Sequence, residues 1–94
     1  MADAAPVPGK SEIAAALREI AVLLQFRDEN AFKVKAFDTA ARALIADPNQ
    51  LSDLVQPGGL EKIKGIGKAT GDVIRSLALT GRSAMLEDLR EGAP

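Results

Sequence analysis

Residues 60–74 read Leu60-Glu61-Lys62-Ile63-Lys64-Gly65-Ile66-Gly67-Lys68-Ala69-Thr70-Gly71-Asp72-Val73-Ile74, and the pattern within them decides the fold. Leu60 and Ile63 stand three apart, as neighbours on one helix face do, and Val73, Ile74 and Leu77 form a second such stripe. Between the stripes two glycines flank one isoleucine. Glycine allows backbone angles and close approaches that a Cβ forbids. The stretch therefore predicts a short helix over 60–64, a tight turn, and a longer helix over 68–79, with Ile66 plugged between them. The first N–H groups of a helix lack partners inside it and carry the positive end of its dipole. The turn Gly65-Ile66-Gly67 and the first helical residues Lys68 and Ala69 would thus turn such groups outward beside Lys64 and Lys68, and these residues are the expected phosphate site. A site that grips only phosphate is indifferent to base sequence. A Gly-x-Gly turn can also be a plain connector. The lysines and the apolar residues at 60, 63, 66, 73 and 74 together favour the anion site.

Working outward, Ile13, Leu17, Ile20 and Leu24, with Ala14 and Ala21, draw one stripe on a helix running to about Arg27. Ser11 stands where it could cap that helix. Asp28-Glu29-Asn30 breaks the pattern, and Asn30 is placed to cap a helix over 31–46. That helix should turn Phe37, Ala40, Ala41, Leu44 and Ile45 inward and stop at Asp47-Pro48, because the residue before proline resists the helical region. A short helix over 50–55 carries Leu51, Leu54 and Val55, and Pro57-Gly58-Gly59 ends it. Gly81 suits a left-handed C-terminal position, and Ser83 can cap a last helix bearing Met85, Leu86 and Leu89. The expected fold is all-α, a compact bundle of four to five short helices. Its expected organisation is a disordered tail over 1–9, one domain over 10–91, and the start of a linker at 92–94.

Ninety-four residues allow one small core. Alanine, leucine and isoleucine dominate the apolar content, with three phenylalanines and no tryptophan or tyrosine, which suits closely packed helices. Absence of cysteine excludes disulfides and thiolate zinc sites; absence of histidine removes the commonest general base. Ser-His-Asp and Cys-His catalysis are thereby ruled out. No apolar run approaches the roughly 20 residues that span a bilayer, and Met1–Gly9 lacks a signal pattern. The expectation is a cytoplasmic, nucleoid-associated monomer with no membrane contact. Net charge is −1, but unevenly spread. Over 60–82, Lys62, Lys64, Lys68, Arg75 and Arg82 face Glu61 and Asp72, five cations less two acids, or +3. Over 32–42, Lys33, Lys35 and Arg42 face Asp38, giving +2. Two basic islands on a near-neutral chain mark one anion-binding face.

The segment Leu60–Gly81 resembles the helix-hairpin-helix of the N-terminal domain of family X DNA polymerases, the polymerase beta-like enzymes. Upstream, Glu29-Asn30-Ala31-Phe32-Lys33-Val34-Lys35-Ala36-Phe37-Asp38-Thr39-Ala40-Ala41-Arg42-Ala43-Leu44 is similar to the second helix of that domain. The resemblance covers about Ser11 to Glu91. It implies a SAM-like domain of about 8 kDa that binds the 5′ side of a gap, nick or single-strand–duplex junction in DNA during gap-filling (base excision) repair or replication. It also implies polymerase domains further along a longer parent chain, where the nucleotidyltransferase chemistry would lie.

On the same resemblance, the lysine that holds the 5′ phosphate falls on Lys33, with Lys35 a companion. The lysine that forms a Schiff base with an abasic sugar in lyase-active relatives falls on Val73, which has no amine. A second phosphate-contacting lysine falls on Ala69, and a tyrosine near the 5′ phosphate on Phe37. This chain is thus expected to bind DNA without catalysis. A lyase acting through a relocated lysine, Lys68 or Lys64, and a protein-interaction module are the alternatives. No cofactor is required. The resemblance implies a sodium or potassium ion at the hairpin when DNA is bound, held by the main-chain carbonyls of Glu61, Ile63 and Ile66.

Overall fold

A computed structural model describes residues 9–92, and every regular element among them is helical. Helices α1 (Lys10–Phe26) and α2 (Ala31–Ala46) lead into a one-turn α3 (Leu51–Leu54) and a single 3-10 turn at Leu60–Lys62. Helices α4 (Lys68–Thr80) and α5 (Ala84–Glu91) complete the domain. None of these helices is long and apolar enough to cross a membrane.

The frame is the α1–α2 pair, the most extensive helix contact in the molecule. Helix α1 buries Ile13, Ala14, Leu17, Ile20, Ala21 and Leu24, and α2 answers with Phe37, Ala40, Ala41 and Leu44. The alanines let the two backbones approach, while Phe37 fills the space between layers. Helix α4 lays Val73, Ile74, Leu77 and Ala78 onto this pair, and α5 adds Leu86 and Leu89. Arg90 ties α5 to α1 by donating twice to the Glu19 carboxylate, at 2.6 and 2.7 Å.

Several local expectations hold. The Asn30 side chain accepts the Phe32 N–H at 2.8 Å, Ser83 accepts the Leu86 N–H at 3.3 Å, and Gly81 is left-handed with φ 76°. Others need correction. Helix α1 is capped from Gly9, whose N–H donates to the Glu12 carboxylate at 2.9 Å, so Ser11 sits exposed within the first turn. Ile45 is 47% exposed, because the buried stripe of α2 is centred on Phe37 and Leu44 and Ile45 lies a further 100° round. The first hairpin arm is one 3-10 turn and not a helix over 60–64: Ile63 is already extended, carrying the chain toward a left-handed Gly65. Residues 1–8 of the tail expected over 1–9, and residues 93–94 of the linker expected over 92–94, lie outside the described residues. Gly9 and Gly92 are helix caps.

Candidate nucleic-acid interface

The two glycines of the turn are glycine for different reasons. Gly65 has φ +102°, and a Cβ there would lie 3.3 Å from both the Ala43 Cβ and the Thr39 Cγ2, so the turn is pressed onto α2. Gly67 has extended backbone that any residue adopts (φ −99°, ψ −169°), and, its chain neighbours aside, no atom of the described residues lies within 4 Å of where its Cβ would stand. Nothing among the described residues requires glycine at 67. The missing side chain opens onto free space at the N-terminus of α4. Between the glycines, Ile66 is buried as the plug.

The amides of the turn divide into two groups. The Ile66 N–H donates to the Ile63 carbonyl at 3.1 Å, and the Gly67 N–H donates to the Thr70 hydroxyl at 2.9 Å. These two are spent inside the fold. Thr70 is buried, its hydroxyl also donates to the Gly67 carbonyl at 3.3 Å, and that carbonyl accepts the Gly71 N–H at 2.8 Å. This bracing fixes the first turn of α4. The N–H groups of Gly65, Lys68, Ala69 and Thr70 donate to no group among the described residues. The last three point along the helix axis at its positive end. The signal for Thr70 in the sequence is its spacing, three residues after the cap at Gly67.

Charge is distributed to match. Lys62, Lys64 and Lys68 are exposed and pair with no acid among the described residues. The arginines are engaged instead: Arg42 with Asp38, Arg75 with Glu61, Arg82 with Glu87. The Glu61 carboxyl is held below its usual range, first by its own backbone N–H and then by Arg75; Glu87 is held down mainly by the Arg82 hydrogen bond. The free positive charge at the hairpin therefore belongs to lysine.

On α2, Lys33 is exposed, with the Glu29 carboxylate 3.9 Å away. Lys35 points about 200° away from it, onto the wall of a groove of about 580 Å³ between α1 and α2 that also carries Arg18. The pair does not form one pocket. Phe37 is core, whereas Phe32 is 84% exposed at the start of α2, seven residues before Thr39 and on the same stripe that meets the hairpin. Val73 is buried, with no amine in reach of a substrate at that position. The main-chain carbonyls of Glu61 and Ile66 accept no hydrogen bond among the described residues, and that of Ile63 accepts one, from Ile66. No cluster of carboxylates among the described residues could hold a metal ion.

A buried plug between two glycines, one arm on each side and unsatisfied amides opening the second arm define a helix-hairpin-helix domain. The chain belongs to the helix-hairpin-helix domain family, whose model matches residues 8–83. It is 38% identical over 85 residues to the N-terminal part of the DNA polymerase/3'-5' exonuclease PolX of Bacillus subtilis (strain 168), a family X polymerase. That match covers 90% of this chain, which spans only 14% of the relative's length. No solved structure matches the chain.

Proposed function

We propose that the domain binds DNA through its sugar-phosphate backbone, independently of base sequence, as the module by which a family X polymerase holds the 5′-phosphate side of gapped or nicked DNA in gap-filling repair. The observation that carries this reading is Gly67, which nothing among the described residues requires to be glycine and which stands at the mouth of three amides and between lysines that find no partner among those residues. A phosphodiester oxygen approaching there meets N–H donors, the positive end of a 13-residue helix and no Cβ. Lys64 and Lys68 supply charge on either side. The carbonyls of Glu61, Ile63 and Ile66 would hold the sodium or potassium ion, and those of Glu61 and Ile66 accept no hydrogen bond among the described residues.

Lys33 is assigned to the terminal 5′ phosphate, with Lys35 on a neighbouring stretch of backbone, and exposed Phe32 stacks on an unpaired base. Polymerase domains further along the parent chain would carry the nucleotidyl transfer. Lyase chemistry is disfavoured by Val73 in the core; Lys64 and Lys68 are exposed, without the apolar pocket that activates an amine. The test is affinity for a one-nucleotide gap with and without a 5′ phosphate. Tighter binding with the phosphate, abolished in Lys33→Ala, is expected; equal binding to both removes the 5′-phosphate assignment. A protein partner held by apolar contacts would show a flat salt response, where three or four phosphate contacts give a log–log slope of roughly −3 to −4.

A further inference from the structure

The first arm of the hairpin is too short to hold its own position. Three residues of 3-10 turn supply one backbone hydrogen bond, from the Ile63 N–H to the Leu60 carbonyl, and the loop before it contains a left-handed Gly58. Yet the depth of the turn, and with it the spacing between the Glu61 and Ile63 carbonyls and the start of α4, depends on where that arm lies.

One side chain reaches across to it. Arg75, in the second turn of α4 and only partly exposed, donates from Nε to the Val55 carbonyl at 3.2 Å and from Nη2 to the Gln56 carbonyl at 3.5 Å. The same Nη2 donates to the Glu61 carboxylate at 3.4 Å. One planar guanidinium thereby joins the end of α3, the loop, the first arm and the second arm. We infer that Arg75 is a positioning residue that sets the two arms of the hairpin at the separation the phosphate site needs, without itself touching DNA. A lysine could not do the same, because a compact ammonium cannot span carbonyls and a carboxylate in one fixed plane.

The inference rests on the phosphate-binding reading, and its test separates the two. Arg75→Ala and Arg75→Lys are compared with the native chain by 15N–1H NMR in the free state and by titration with a gapped oligonucleotide across a range of salt. The expected result has three parts. The amide signals of residues 63–70 move in the free variants, the Kd rises about tenfold in Arg75→Ala and less in Arg75→Lys, and the salt slope is unchanged. A slope shallower by about one overturns the inference, since it reveals a direct phosphate contact. Unmoved amides, or an unchanged Kd in a folded variant, overturn it equally. If Arg75→Ala does not fold, Arg75→Lys and Glu61→Gln carry the comparison. Should the native chain not bind DNA at all, the function reading fails, and the free-state amides alone decide whether Arg75 sets the arms.

Discussion

Replacing each glycine of the turn by alanine should separate fold from function within one motif. At Gly65 an alanine must hold φ near +102° and press its methyl to 3.3 Å from Ala43 and Thr39. Such strain costs about 1–3 kcal/mol, and for a domain of this size each kcal/mol lowers Tm by roughly 4–8 °C. At Gly67 an alanine meets ordinary backbone angles and no neighbour within 4 Å. Alanine is a poorer cap than glycine by several tenths of a kcal/mol up to about 1, and stiffening the unfolded chain offsets this by about 0.4–1. Stability should thus stay within about 0.5 kcal/mol of the native value. The methyl instead occupies the approach to the Lys68, Ala69 and Thr70 amides. Loss of one amide-to-phosphate bond, worth about 1.5–3 kcal/mol, should weaken binding about ten- to hundredfold. Thermal unfolding gives the first quantity, and fluorescence anisotropy with a gapped oligonucleotide gives the second. Native affinity in Gly67→Ala would refute the reasoning, because the open space there would then receive nothing.

Other substitutions probe the bracing around the site. Thr70→Val keeps the shape but strips the Gly67 N–H of its acceptor; a loss of about 1 kcal/mol in urea unfolding is expected. A methyl at Gly59 would lie 2.4 Å from the Leu54 carbonyl oxygen, so Gly59→Ala should cost about 1–3 kcal/mol by forcing the first arm outward. Phe32→Ala should leave Tm unchanged, since the ring is solvent-exposed, yet weaken binding to a gap about fivefold or more through lost base stacking. The Glu19 carboxyl is held below its usual range mainly by its hydrogen bonds from Arg90. A depressed carboxylate stabilises the fold above its unfolded pKa and ceases to as pH falls through the folded value. The small Tm deficit of Glu19→Gln should therefore be present near neutral pH and vanish as pH drops below the carboxylate range.

The helices were readable because their signals are local. Apolar spacing and the capping residues Asn30, Ser83 and Gly81 are decided within a turn or two of chain, and α2 has the bounds its sequence announces. The first arm was misread because Leu60 and Ile63 have helical spacing whether or not a helix joins them; a distant fact, Gly65 pressed on Thr39 and Ala43, decides otherwise. The same limit applies to the site. Two glycines, a plug and lysines were visible, but which amides remain free depends on the Thr70 hydroxyl folding back over Gly67. That Lys33 and Lys35 diverge follows from helix geometry alone. Nothing in the string of residues announces that Arg75 bridges to Val55 and Gln56, because that contact spans about twenty positions and ends on backbone.

The most direct test follows the backbone N–H signals of the 15N-labelled protein while a gapped, 5′-phosphorylated duplex is added at low ionic strength. The expected result is that Gly65, Lys68, Ala69 and Thr70 shift first and furthest, while the amides of α5 stay where they are. If those four signals remain still as the DNA is added, the hairpin does not grip phosphate and the account is wrong.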